Sequence, residues 1–309
     1  MNANRRDFLK KLGLAAASYS FISSVPGFSL SQAAAQGKKP FFQISLAQWS
    51  LHKTLQAGEL DNLDFPLKAK KEFGISIVEY VSPFFKKQEK NTSYLQDLKK
   101  RTDDNGITNH LIMIDGEGSL GDTEMAKRNQ AVENHYKWID AAKYLGCKTI
   151  RVNAAGRGTQ EEVQKAAIEG LSKLSAYGQQ HKINVIVENH GGYSSNGEWL
   201  AGVIKGVNNK YCGTLPDFGN FNISSTEKYD RYKGVQELLP FAKGVSAKTY
   251  DFDASGNETT INYQRMFKMI KAAGWKGIVG IEYEGSRLSE VEGIKATKAL
   301  LDRIQSQMT

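Results

Sequence analysis

Short apolar runs rich in β-branched residues recur along the chain, separated by longer stretches of helical period. The runs centre on Phe41–Trp49, Ile75–Val81, His110–Ile114, Thr149–Asn153, the set Ile183, Val185, Ile186 and Val187, then Gly213–Asp217, Gly244–Thr249 and Ile278–Glu282. They are too short for helices and read as buried parallel strands. Helical stretches cover Asp64–Gly74, a segment ending at Asn105 and Gly106, Met125–Leu145 before Gly146, Glu161–His181 and Glu290–Met308. Eight strand signals thus alternate with seven or eight helix signals at a period of roughly 30 to 39 residues. The pattern predicts an α/β protein, a single-domain (β/α)8 TIM barrel, with long rim loops at 193–197 and 251–260. An open doubly wound sheet is the alternative, but no G-x-G-x-x-G follows the first strand to support dinucleotide binding.

Composition refines this only at the N-terminus. The stretch Asn4-Arg-Arg-Asp-Phe-Leu-Lys-Lys11, followed by the short apolar core Leu12–Ala17 and small residues to Ala35, resembles a twin-arginine export signal. Residues 1–36 are therefore assigned to a signal peptide and 37–309 to the barrel. The apolar core is too short to stay in a bilayer, and no later run is long enough to span one. The resemblance implies a periplasmic or extracellular protein with no membrane association after the signal is removed. Of the net charge of +8, the leader carries four basic residues against one acidic. The remaining lysines are scattered, so a nucleic-acid partner is not expected. Cys147 and Cys212 make no disulfide framework and no zinc spacing, and read as buried small side chains.

In a barrel of parallel strands chemistry collects at the C-terminal strand tips. Here those tips carry Gln48 and Trp49, Glu79, His110, Arg151 and Asn153, Glu188 and His190, Asp217 and Asn220, Ser246 and Lys248, and Glu282 and Glu284. Side-chain alternation puts Arg151 with Asn153, and Ser246 with Lys248, on common faces. Glu188, Asp217 and Glu282 then converge on one point, where without a cation they would raise one another's pKa. One hard divalent ion, Mn²⁺ or Mg²⁺ ahead of Zn²⁺ or Co²⁺, suits that oxygen set. For Arg151 an ion pair with Glu188 or a neighbouring carboxylate stands beside a role in holding substrate.

The order Val-Glu-Asn-His-Gly-Gly (187–192), Leu-Pro-Asp-Phe-Gly-Asn (215–220) and Gly-Ile-Glu-Tyr-Glu-Gly (280–285) resembles the xylose-isomerase-like TIM-barrel superfamily of sugar isomerases and epimerases. The resemblance spans essentially the whole mature chain. It implies that Glu188, Asp217 and Glu282 are metal ligands and that Glu188 and Glu282 are the acid/base pair. It also allows a homodimer. The chain departs from the pattern on strand seven, where a metal-binding His is expected and only Ser246 and Lys248 occur, and at Asn220, where a substrate-binding His is common. The site is either a three-carboxylate metal site completed by water, or one in which Lys248 replaces the ion as electrophile.

Two carboxylates flanking a positive charge suit proton transfer next to a carbonyl through an enediolate. The expected substrate is an unphosphorylated sugar or keto-sugar, since an exported enzyme does not meet cytoplasmic sugar phosphates. Trp49, Glu79, His110, Arg151, Asn153, His190 and Asn220 are the expected substrate contacts, and Glu188, Glu282 and Lys248 the catalytic set. The same enolate could expel a leaving group, as in a lyase acting on keto-glycosides. A catalytically silent sugar-binding barrel is the reading from another class. The five histidines do not supply the His-rich cluster of the nuclease relatives.

Overall fold

In the computed structural model, which describes residues 40–308, each short apolar run becomes a parallel strand. The strands are β1 (Phe42–Ala47), β2 (Ile77–Val81), β3 (Thr108–Met113), β4 (Thr149–Val152), β5 (Asn184–Glu188), β6 (Cys212–Leu215), β7 (Val245–Thr249) and β8 (Gly277–Tyr283). They are hydrogen-bonded in the order β6-β5-β4-β3-β2-β1-β8-β7. Single parallel bridges, Thr214 with Ala242 and Asp217 with Ser246, bring β6 alongside β7 and nearly close the ring. Around it lie α1 (Phe65–Phe73), α2 (Thr92–Asp104), α3 (Met125–Leu145), α4 (Gln160–His181), α5 (Gly197–Val207), α6 (Arg231–Leu238), α7 (Tyr263–Ala272) and α8 (Glu290–Met308). The expected (β/α)8 barrel is therefore the fold, and an open doubly wound sheet is not.

Alternation along the strands separates two cores. Outward-facing residues such as Val78, Tyr80, Ile150, Val185, Val187, Val279 and Ile281 pack with the helices into the large annular core. Inward-facing Ala47, Val81, Leu111, Met113, Ile186 and Leu215 form a smaller plug inside the barrel. The plug fills the interior as side-chain layers do in this fold, and it forms an apolar floor beneath the polar tips. Cys147 and Cys212 are buried free thiols, as expected.

The helices α5, α6 and α7 begin where Asn196, Asp230 and Asn262 accept hydrogen bonds from the first helical turn. These are ordinary N-caps. The capping box of Thr159 and Glu162 starts α4 in the same way. Among the described residues no helix is long and apolar enough to cross a membrane. The signal-peptide assignment for residues 1–36 lies outside the described residues.

Candidate active site

Inward alternation on the last four strands builds the site. Ile186 belongs to the apolar plug, so Glu188, two residues on, points inward at the tip of β5. Leu215 does the same for Asp217, just past β6. On β7 and β8 the register pairs Ser246 with Gly280 and Lys248 with Glu282. Glu188, Asp217 and Glu282 consequently meet, each offering an oxygen within 4.8 Å of the others. Glu188 and Asp217 are 0% exposed and Lys248 only 1%.

Each carboxylate has protein partners. Asp217 Oδ1 accepts from the backbone N–H groups of Gly219 and Asn220. Ser246 Oγ lies 2.7 Å from Asp217 Oδ2 and 2.8 Å from Glu282 Oε2, so the hydroxyl lies between two carboxylates. Lys248 Nζ donates to Glu282 Oε1 at 2.8 Å and lies 3.2 Å from Glu284 Oε2 and 3.7 Å from Asp217 Oδ2. Asn220 Nδ2 donates to Glu188 Oε1 at 2.9 Å. Arg151 Nε stands 2.7 Å from Glu188 Oε2, but the N–H is not aligned on that oxygen and neither atom has a hydrogen-bond partner.

Burial pushes the Glu188 carboxyl above its usual range despite Arg151, and it raises Asp217 despite Lys248. Burial would also raise Glu282, yet the Lys248 charge and the hydrogen bonds from Lys248 and Ser246 hold it low. The lysine itself, although desolvated, is kept charged by Asp217, Glu282 and Glu284. Two acid/base candidates of similar chemistry thus differ in proton affinity, because Lys248 and Ser246 offset the burial of Glu282 whereas Arg151 does not offset that of Glu188.

The donor set suits a hard divalent cation, because all three groups are carboxylates and Glu188 Oε2 is a buried acceptor without a donor. Glu188, Asp217 and Glu282 are the residues that would hold such an ion. Lys248 brings a fixed positive charge to the same carboxylates.

The remaining expected residues divide. Trp49 donates from Nε1 to Glu284 at 2.5 Å and stacks on His52. Together with Asp115, Arg151, His190 and Glu282 it lines a cavity of about 80 Å³ beside the carboxylates. Arg151 takes the ion-pair option, reaching Asp115 at 2.8 Å as well as Glu188. Asn153 donates to the same Asp115 oxygen at 2.8 Å.

Two expected substrate contacts sit elsewhere. Glu79 lies below the tips, accepting from Ser45 Oγ at 2.6 Å and packed against Gly280, where any Cβ would meet its carboxylate at 2.8 Å. Burial raises its pKa to about 7. His110 sits near the start of β3 rather than at its tip, where a register shift on β2 opposite it changes the alternation. Burial alone lowers its pKa to about 4. Neither lines the 80 Å³ cavity. Asp115, two residues past the end of β3, was not among the expected residues. An aspartate following Met113 and Ile114 at a strand end is the signal that marks it. Glu284, named only as a tip residue, proves to join Trp49 to Lys248.

Fold and site together define a parallel (β/α)8 barrel with a buried carboxylate triad at its C-terminal mouth. A model described as "Xylose isomerase-like TIM barrel" matches residues 67–306, and the chain belongs to that family. No curated protein matches it by sequence. Solved structures share the fold at low identity. The IolI protein with a bound zinc atom has 15% identity and a TM-score of 0.68, covering 86% of this chain and 98% of its own. 3-Keto-D-glucoside 4-epimerase YcjR from E. coli has 15% identity and a TM-score of 0.67, covering 85% and 99%. A xylose isomerase-like TIM-barrel protein from Mycobacterium smegmatis in complex with magnesium has 17% identity and a TM-score of 0.62, covering 79% and 88%.

Proposed function

We propose that this chain is a divalent-metal-dependent isomerase or epimerase that moves a proton on the carbon next to a carbonyl of an unphosphorylated sugar or keto-sugar. The observation that carries the reading is the buried triad Glu188, Asp217 and Glu282, converging within 4.8 Å at the catalytic end of the barrel. Solved structures of similar fold, one with zinc, one with magnesium and another a 3-keto-D-glucoside 4-epimerase, support it. Mn²⁺ or Mg²⁺ is the proposed ion, since the ligands are all oxygen. When bound, the ion supplies positive charge for the carbonyl oxygen as negative charge develops there.

The chain's own residues carry the proton. Glu282, kept ionised by Lys248 and Ser246, takes it from the carbon. Glu188, held by Asn220 beside Arg151 and raised in proton affinity by burial, enters the step protonated and delivers its own proton to the enediolate, the two exchanging roles in the reverse direction. Two carboxylates from different strands permit return to the opposite face, which is epimerisation, or to the neighbouring carbon, which is isomerisation. A leaving group beside the same enolate would turn the reaction into an elimination. The resemblance of residues 1–36 to a twin-arginine export signal supports an enzyme outside the cytoplasmic membrane, and an unphosphorylated substrate fits that location.

The 2.8 Å contact of Lys248 with Glu282 favours one second reading, in which the lysine supplies the positive charge and no ion is needed. Elemental mass spectrometry on the folded protein and on Asp217→Asn separates the two. About one divalent ion per chain, lost in the variant and accompanied by solvent-deuterium exchange into a sugar, supports the metal enzyme. No ion after refilling with Mn²⁺, Mg²⁺, Co²⁺ or Zn²⁺, with exchange abolished in Lys248→Met, transfers the role to the lysine. No exchange into any aldose, ketose or keto-glycoside under either condition refutes both.

A further inference from the structure

Beyond the small cavity beside the carboxylates, the barrel mouth opens into a second cavity of about 560 Å³. Its walls include Ala155 from the loop after β4, Gly191, Gly192 and Tyr193 from the loop after β5, and Ile223 and Ser224 from the loop after β6. His190 lines both cavities, so the two are neighbouring parts of one cleft. Their chemistry differs sharply. The inner part carries Asp115, Arg151 and Glu282, whereas no Lys, Arg, Asp or Glu is among the residues that line the outer part.

The outer part is a formed surface. The Tyr193 ring is fixed at both ends, its hydroxyl donating to the Gly158 carbonyl at 3.0 Å and its ring packed on Trp199 at 5.9 Å between centroids. Gly191 and Gly192 hold left-handed backbone at φ +84 and +59, and a Cβ on either would meet nothing within 4 Å. The glycines therefore keep open space in the wall rather than allow close packing. Ser194 and Ser195 hold this turn by accepting from the backbone N–H groups of His190 and Gly191.

We propose that this vestibule binds the second, uncharged ring of a glycoside, so that the reacting sugar is one end of a two-ring substrate. The inference rests on the reading of the carboxylate site as one that enolises a sugar. A sugar held at the carboxylates has the vestibule next to it across His190. A rigid aromatic side chain, small residues and backbone offer that space the flat, mostly apolar surface that a sugar or aryl ring packs against. Lacking a cation, the vestibule gives a phosphate or carboxylate no partner, which selects a neutral group.

The test compares D-glucose, D-galactose and D-xylose with their phenyl β-glycosides, and D-glucose with cellobiose. Affinities for the full chain come from calorimetry, repeated on Ala155→Trp and Ser224→Trp, which fill the vestibule from opposite walls and leave the carboxylates untouched. Thermal melts establish that each variant is folded. The expected result is a glycoside bound at least ~10-fold more tightly than its parent sugar. That gap should shrink to less than ~2-fold in both variants, with parent-sugar affinity unchanged. Phenyl or glucosyl preference identifies the second ring as aromatic or carbohydrate. Equal affinity for sugar and glycoside, or a gap that survives both tryptophans, overturns the vestibule assignment and leaves the sugar site standing. If no sugar or glycoside of any pair binds, the assignment falls together with the reading it rests on.

Discussion

Replacing Lys248 with methionine keeps the side chain's length and removes its charge from a site with 1% exposure. Nζ sits 2.8 Å from Glu282 Oε1, 3.2 Å from Glu284 Oε2 and 3.7 Å from Asp217 Oδ2. At an effective dielectric of about 20 the closest of these contacts alone is worth roughly 6 kcal/mol of Coulomb attraction. Most of that is offset by desolvation of both partners, so the pair adds little net stability. Removing one partner is different, because Glu282 and Asp217 stay buried without their cation. That costs about 3–5 kcal/mol, or a fall in Tm of roughly 5 to 9 °C for a barrel of this size. A divalent ion held by the same carboxylates should recover much of the loss, since a ligand at 100 times its Kd stabilises by about 2.7 kcal/mol. Differential scanning calorimetry of the native chain and Lys248→Met, each with EDTA and with Mn²⁺, reads both effects. Mn²⁺ should raise the variant's Tm more than that of the native chain. A variant as stable as the native chain in EDTA, or one that Mn²⁺ does not rescue, would refute the account of Lys248 as the resident counter-ion of the triad.

Glu188→Gln should lower solvent-deuterium exchange into the sugar by about 10² to 10⁴-fold while leaving the fold intact, measured by NMR on the same protein that gives a native melt. The buried Glu79 carboxyl, raised to about 7, binds its proton more tightly folded than unfolded. Its contribution is therefore fully present below the unfolded pKa near 4.5 and is lost as pH rises towards 7, up to about 3 kcal/mol in all. Glu79→Gln should flatten that part of the urea-stability profile, and an unchanged slope would contradict the burial. His110 has the opposite sign of shift on a base: its pKa of about 4 makes stability complete above the unfolded value near 6.5 and declining as pH falls to 4, a loss that His110→Gln should abolish. Gly156→Ala would place a Cβ 2.0 Å from the Gly121 carbonyl oxygen, so the loop after β4 must shift at a cost of about 1–3 kcal/mol. A neutral melt would show that this close approach is absent.

The barrel was legible because buried parallel strands leave a strong trace, runs such as Val185, Ile186 and Val187 that no surface element would carry. Helices α5, α6 and α7 were not located in the sequence, and their caps Asn196, Asp230 and Asn262 emerge only from the structure. The triad was legible for a related reason. Each carboxylate ends an inward-facing series, with Ile186 preceding Glu188 and Leu215 preceding Asp217, so alternation alone aims them together. What alternation cannot give is depth. Glu79 shares the inward face but ends beneath the tips beside Gly280, and the register shift between Val78 and Glu79 is opposite His110, where counting by twos fails. The partner of Arg151 was left open for the same reason, since Asp115 belongs to a loop that no periodicity governs.

The distribution of charge explains why one triad can serve either kind of cation. Glu188 faces Arg151 on the neighbouring strand and Glu282 faces Lys248 on its own neighbour, so the two proposed acid/base carboxylates are each compensated from within the barrel. Asp217 takes its hydrogen bonds from backbone N–H groups and Ser246 and meets Lys248 only at 3.7 Å. It is the carboxylate with the weakest claim on a protein cation, and Glu188 Oε2 is the buried oxygen with no donor. An incoming ion therefore gains most at Asp217 and Glu188, and at Glu282 it must share the carboxylate with Lys248. Asp217→Asn should accordingly weaken Mn²⁺ binding far more than it changes stability in EDTA, while Glu282→Gln should weaken it less and should leave Lys248 to Glu284 and Asp217. Calorimetric Mn²⁺ titrations in which Glu282→Gln proves the more damaging of the two would place the ion on the opposite side of the triad.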